Sequence, residues 1–380
     1  MYIAWCAILG AVVGSFANVV VGRLPKGQSA VRPPSHCPNC KHRLGPLELI
    51  PIVSWLALRG RCKNCKQPIS VRYPVVELLF AGVFAVFAWH WPLQESLLAG
   101  LVPLTLLAVL LMAALIDLDT YTLPDVLVIP TAVLAIGAAA LPLPGEVLPS
   151  ITEALTGAAA GAGIIVLINR IGGLALRRFG DTSERLWPIS LDQVNFATLF
   201  ASFGGLWLGI GTGLLTAVFN MVTGRVWRLH EALVYGLWLV ALVVSAYGFS
   251  IPLADAFAGS ILAAGTIAFL GGTYWWLHDS FVSEASETVS VLEEEADDEL
   301  VAMGFGDVKF GAALGAIAGW QLFVIGLLFA IISGAVVGII MRLAGGSRLI
   351  PFGPFMWLGV ALALLFGHDV LAWYLGLFGL

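Results

Sequence analysis

Apolar runs of about 20 residues recur along the chain, separated by shorter polar stretches. A run of that length, wound as a helix, spans the roughly 30 Å hydrocarbon core of a bilayer. The pattern predicts helices over residues 1–22, 74–91, 96–116, 126–143, 153–176, 231–249 and 253–277. The glycine-rich run 194–220 fits either one span or a tight hairpin of two. Short helices are expected from Val308 and from Gln321, and a last one runs to about Phe378. One long stretch breaks the pattern: residues 23–73 are polar, basic and proline-rich, and read as a small soluble domain. The expected fold is an all-α polytopic membrane protein with that domain between its first two helices. The chain then divides into a first helix (1–22), the polar domain (23–73), and helices 74–145. An extra helical block (146–250) and a last set of helices (251–380) follow.

Composition agrees and excludes a soluble globular class. Of 380 residues, 59% are hydrophobic and 11% charged, against roughly a quarter charged in soluble domains. No basic segment precedes the opening run, which carries Ser15 and Asn18 and is followed by Arg23. A retained first helix is expected rather than a cleaved leader. Ten basic residues lie between Arg23 and Arg72, and none between Arg228 and Lys309. The positive-inside rule puts residues 23–73 in the cytoplasm and the N-terminus outside. The partner this implies is a lipid bilayer; the acidic balance, net charge −5, offers nothing to nucleic acid.

The polar domain holds Cys37, Cys40, Cys62 and Cys65, two CxxC pairs with 21 residues between them. A reducing cytoplasm disfavours disulfides, and two such knuckles complete a tetrahedral sulfur site suited to zinc. With no open coordination position the metal would be structural, holding together a domain too short to fold on a core alone. His36 and His42 read as bystanders.

Acids at the ends of apolar runs are the next signal, since a carboxylate at a membrane boundary is costly unless solvated or used. Asp117 and Asp119 end one run, and Asp307 begins another, behind Gly304 and Gly306 and followed by Lys309. The two glycines would let other backbone come close. Asp117 and Asp307 are expected to meet at the cytoplasmic ends of two helices and share a catalytic water. Asp125, after Pro124, suits the N-terminal end of a helix. Glu77 lies just inside an apolar run and reads first as an interfacial residue paired with a basic neighbour. The acidic tract 284–299 is either a solvated linker or a lip that attracts a basic peptide.

Parity decides whether Asp117 and Asp307 share a side of the membrane, and an internal repeat favours the hairpin. Val194, Phe196, Gly205 and Leu208 recur 114 residues later as Val308, Phe310, Gly319 and Leu322. Ala154, Gly157 and Gly163 recur at an offset of 102 as Ala256, Gly259 and Gly265. Leu123, Leu127 and Val128 recur at an offset of 106 as Leu229, Leu233 and Val234. A four-helix block, 123–228, would thus be duplicated into 229–343. The first copy keeps Pro124-Asp125 but lacks the glycine-aspartate motif; the second keeps the motif but has His230-Glu231 at the other place.

Taken together, Gly14-Ser15-Phe16-Ala17-Asn18, Arg23-Leu24-Pro25, both CxxC pairs, Arg72-Tyr73-Pro74 with Glu77, Asp117 to Asp125, and Met303-Gly304-Phe305-Gly306-Asp307-Val308-Lys309 resemble one family. It is the bacterial prepilin peptidases, or type IV leader peptidases, intramembrane aspartyl proteases of the glycine-x-glycine-aspartate class. The resemblance covers about 1–145 and 250–380. It implies Asp117 (seven residues before Pro124) and Asp307 as the catalytic pair, with Asp119, Asp125, Gly304, Gly306, Lys309 and Glu77 as secondary candidates. It implies a zinc-binding insertion after the first helix and a multi-pass protein of the bacterial inner membrane, its active site cytoplasmic. It implies cleavage of the basic leader of prepilins or pseudopilins. N-methylation of the new terminus from S-adenosylmethionine is implied for many members. The 190 residues between the two aspartates exceed the family's usual spacing, and the duplicated block would account for the excess. The alternative function is a transporter or channel that uses its intramembrane acids.

Overall fold

The computed structural model describes residues 1–91, 97–141, 148–175, 189–227, 229, 231–248, 250–282, 304–344 and 350–377. The acidic tract, Met303, His230 and the polar turn ending in Arg348 lie outside these residues. The described chain is helical: α1 (Tyr2–Arg23), α2 (Val53–Ala57), α3 (Arg72–His90), α4 (Leu97–Thr120), α5 (Asp125–Ala139), α6 (Ile151–Ala175), α7 (Leu191–Gly204), α8 (Leu206–Thr223), α9 (Glu231–Ala246), α10 (Leu253–Val282), α11 (Phe305–Leu343) and α12 (Gly353–Leu377). Eight are long and apolar enough to cross a membrane; α5 and residues 233–246 are shorter apolar helices. Among the described residues there is no strand, only two isolated bridges in the polar domain.

The chain forms two compact units. The first comprises residues 1–127, 138–148 and 329–380. Here α1 packs on α3 through glycines at the four-residue spacing that lets membrane helices approach closely. A Cβ on Gly10 would lie 2.5 Å from the Phe80 carbonyl oxygen, and one on Gly14 2.8 Å from Glu77 Cα. The α4 helix is the core of this unit: Leu104, Leu107, Leu110, Ala113 and Ile116 are all buried. The Trp357 indole of α12 donates to the Leu107 carbonyl at 2.9 Å, satisfying a polar atom that burial would otherwise penalise.

The second unit comprises residues 128–137 and 149–328. Residues 194–220 are a hairpin: α7 and α8 turn at Gly205, so that Gly209 faces Ala201 and Ala197, and Gly213 faces Ala197. At 14 residues α7 is about 21 Å long, too short to span a bilayer alone. The helical backbone breaks the same way 114 residues later. Gly205 has φ 80° and ψ −178°; Gly319, inside α11, has φ 74° and ψ 164°. These are left-handed φ values that glycine adopts without penalty. The helix starts also match. The Ser190 N–H donates to Gln193 Oε1 at 2.7 Å, and the Gly304 N–H donates to Asp307 Oδ2 at 3.1 Å. Each is the reaching-back half of a capping box.

The helix contacts exchange in the same manner. The Cβ position of Gly163 meets the Ile261 carbonyl oxygen at 2.0 Å, and that of Gly265 meets the Ala159 carbonyl oxygen at 1.9 Å. An offset of 102 turns each of these pairs into the other. Likewise Gly157 abuts Gly319, and Gly259 abuts Gly205. Helices α6 and α10 therefore meet through two contacts that the offset of 102 interchanges.

Candidate active site and metal centre

The two CxxC segments fold identically. The Cys37 N–H donates to the His42 carbonyl and the Lys41 N–H to the Cys37 carbonyl, each at 2.9 Å. The second knuckle repeats this with Cys62 and Gln67 at 2.9 Å, and Lys66 and Cys62 at 3.0 Å. Lys41 and Lys66 both take positive φ, which folds the chain back so that its two thiols converge. Cys37 and Cys65 sulfurs are 3.8 Å apart, Cys40 and Cys62 sulfurs 3.9 Å, and all four lie within 4.8 Å. Bonds of about 2.3 Å to a central zinc require tetrahedral edges of about 3.8 Å, so these sulfurs are placed to hold a metal ion of that size. The histidines stand aside: His36 Nδ1 contacts the Pro34 carbonyl, and His42 Nε2 faces Glu48 at 3.4 Å. The backbone N–H of His42, with the Asn64 amide, draws the Cys40 thiol down to about 6. At Cys65 the Gln67 N–H acts in the same sense, but burial and the three neighbouring sulfurs outweigh it and push the thiol up to about 11. Crowded thiols that resist joint ionisation gain from a shared cation.

Asp117, on the last turn of α4, is 5% exposed. Its Oδ2 accepts the Gly353 N–H at 3.0 Å, at the start of α12. That helix start supplies both a donor and a positive dipole end to the carboxylate. Gly353 is a residue that sequence reasoning missed. A Cβ there would lie 2.7 Å from Asp117 Oδ2, so only glycine allows the contact. Its one local signal is its place between Pro351 and Pro354. Gly353→Ala is expected to displace the Asp117 carboxylate while leaving the apolar packing of α12 in place. If Asp117 is catalytic, turnover falls on the order of 10²-fold with little change in thermal stability; steady-state kinetics and a melt on the same preparation check both.

Asp119 forms an ion pair with Arg72 at the start of α3. Asp125 opens α5, where a carboxylate faces the helix's positive end. Glu77 differs from its expected pairing with a basic neighbour. It is 7% exposed, and its Oε2 accepts the Ile52 N–H at 2.6 Å. Ile52 has φ 62° and ψ −54°, a costly backbone for a β-branched residue. The Glu77 carboxylate thus anchors a strained turn of the polar domain.

Asp307 belongs to the second unit and Asp117 to the first. Asp307 is partly buried in the first turn of α11. Gly304 is exposed, and a Cβ there would meet only Asp307 Oδ2 at 3.8 Å and Gly306 N at 4.0 Å. No other described backbone comes close to it. Lys309 is buried, its ammonium 5.3 Å from the Phe305 ring centroid, within cation–π range. Its stem lies over Gly272 of α10, where a Cβ would be 3.2 Å from Lys309 Cε.

Comparison with known proteins takes in both acids and the four cysteines. A family model described as the bacterial peptidase A24 N-terminal domain matches residues 8–91, which include the four cysteines and Glu77. A second, described as the type IV leader peptidase family, matches residues 104–181 and 227–339, half of the chain, and contains Asp117 and Asp307. Residues 182–226, which hold α7 and α8, interrupt it. The prepilin leader peptidase/N-methyltransferase of Myxococcus xanthus is 36% identical over 228 residues, covering 56% of this chain and 65% of the relative. That of Pseudomonas putida is 27% identical over 403 aligned positions, covering 100% of this chain and 95% of the relative. The type 4 prepilin-like proteins leader peptide-processing enzyme of an Escherichia coli O78:H11 strain is 34% identical over 228 residues, covering 52% and 80%. No solved structure gives a match.

Proposed function

The chain belongs to the type IV leader peptidase family, and from that premise we propose that it is an intramembrane aspartyl endopeptidase. It removes the basic leader of type IV prepilins or pseudopilins at the cytoplasmic face of the bacterial inner membrane. One observation carries this reading: the family match spans half of the chain and includes both Asp117 and Asp307. The transporter or channel alternative gains nothing from these relatives.

Asp117 and Asp307 are the proposed catalytic carboxylates. Two carboxylates sharing a reaction centre titrate as a pair, one charged and one protonated. The charged one takes a proton from water, which attacks the scissile carbonyl. The protonated one polarises that carbonyl and then gives its proton to the departing amine. The Gly353 N–H on Asp117 Oδ2 fixes one oxygen of its carboxylate and leaves the other for this work. Asp119, paired with Arg72, and Asp125, at a helix start, serve structure on this reading.

The extra block is a degenerate copy of the helices around the acid site. Matched helix starts, glycine breaks and exchanged contacts support this, and Gln193 then stands where Asp307 stands in the other copy. An amide neither takes up nor gives up a proton as an acid or base near neutral pH, so that copy would be silent.

The four thiolates would hold zinc, whose role there is to close the polar domain. A single zinc per chain is expected by elemental analysis. Cys62→Ser should abolish it and expose residues 36–68 to protease while leaving the helices intact. N-methylation is the second activity proposed, on the likeness to relatives named prepilin leader peptidase/N-methyltransferase. S-adenosylmethionine does not fit the pocket among α6, α7, α9 and α10. That pocket is lined by Val166, Leu167, Thr198, Tyr235, Trp238 and Ser260, with no charged group for the donor's ribose or amino-acid end. The function is tested by co-expressing the chain with a prepilin whose short Lys/Arg leader ends in glycine and weighing the product. Loss of the leader supports the peptidase, and a further gain of about 14 Da shows methylation.

A further inference from the structure

The polar domain carries a patch that suits neither a soluble surface nor the metal site. Residues 46–58, Pro-Leu-Glu-Leu-Ile-Pro-Ile-Val-Ser-Trp-Leu-Ala-Leu, contain one charged residue. That residue, Glu48, turns inward to accept the Gly45 N–H at 2.9 Å. Leu47 is 79% exposed, Leu56 60% and Val53 59%, with Leu49 and Ile50 also exposed. Such a cluster of large apolar side chains signals an interaction surface.

The segment's position limits what can cover it. The Ile52 N–H is bonded to Glu77, five residues into α3, a helix long and apolar enough to span the membrane. Five residues of helix are about 7.5 Å, so the segment is held beside the part of α3 that enters the bilayer. Exposed residues of α3 continue the apolar surface there: Val75 is 54% and Leu78 56% exposed. Exposed cations flank the segment on both sides, Arg43 before it and Arg59, Arg61 and Lys63 after it. Apolar side chains at headgroup depth with basic residues around them are the features of an element lying in an anionic membrane interface.

We propose that residues 46–58 are a membrane-interface anchor that seats the cysteine domain on an anionic leaflet. Leu47, Val53 and Leu56 enter the acyl boundary, and the flanking arginines and lysine meet lipid phosphates. The domain is then pressed against the bilayer rather than tethered above it, with the Glu77 hydrogen bond as its pivot.

The test uses the full chain with a photo-crosslinking residue at Leu47, Val53 or Leu56, and at Gln67 on the second knuckle for comparison. Each protein is reconstituted in nanodiscs of phosphatidylcholine alone or with a quarter phosphatidylglycerol, irradiated and weighed. Zinc content of one per chain certifies each variant as folded. Lipid adducts at 47, 53 and 56 should exceed those at 67 at least five-fold and rise with phosphatidylglycerol. Equal yields at all four positions would overturn the proposal. So would crosslinks at 47, 53 and 56 to protein, whether a second copy or another chain, in place of lipid.

Discussion

Asp117→Asn and Asp307→Asn should each abolish leader removal, by about 10²- to 10⁴-fold, while the protein stays folded. Asparagine keeps an oxygen where each hydrogen bond needs one. At 117 it still accepts the Gly353 N–H, and at 307 it still accepts the Gly304 N–H. What is lost is the proton and the charge. Groups that act as a unit are non-additive, so the double variant should be no slower than the worse single one. Gln193→Ala gives the contrast. It removes a helix cap worth roughly 1 kcal/mol, yet should leave cleavage within about two-fold of wild type, because an amide at that place takes no part in proton transfer. Substrate mass after timed co-incubation in membranes reads all four. Retention of a tenth of wild-type activity by either aspartate variant would end the assignment of the pair.

The second large effect falls on stability. A Cβ on Gly315 would sit 2.1 Å from the Gly157 carbonyl oxygen and 2.7 Å from its carbon, and a Cβ on Gly157 would be 2.1 Å from the Gly315 oxygen. Both obstacles are backbone inside helices, which cannot rotate aside as a side chain can. Gly315→Val should therefore force α6 and α11 apart and cost more than about 3 kcal/mol. In detergent this should lower the midpoint of a thermal melt by about 4 °C or more. Gly211→Val, on a face of α8 with nothing within 4 Å of the Cβ position, should melt as wild type does. Equal melting of the two variants would mean that the glycine contacts do not carry the packing.

These two cases mark what the sequence makes legible. The apolar runs predict the helices because membrane insertion is decided locally, by length and hydropathy. The CxxC spacing predicts the sulfur cluster because each knuckle is closed by its own few residues. The turn at Gly205 is legible only through the resemblance between 194–208 and 308–322, since neither run alone declares a hairpin. The partners of the acids leave no local trace. Gly353 lies 236 residues from Asp117, and Arg72 lies 47 from Asp119. Glu77 was expected to take a cation, but the nearby arginine goes to Asp119 and Glu77 takes a backbone amide instead. Periodicity reports which face of a helix is buried, not which polar atom across the fold completes a hydrogen bond.

Two polar ties leave the cysteine domain region, and they lead to neighbouring points. One joins Ile52 to Glu77 on α3; the other joins Arg72, at the head of the same helix, to Asp119, two residues beyond Asp117. The polar domain and the acid-bearing end of α4 are thus both fastened to the first turns of one helix, α3, which cannot tilt or slide without carrying both.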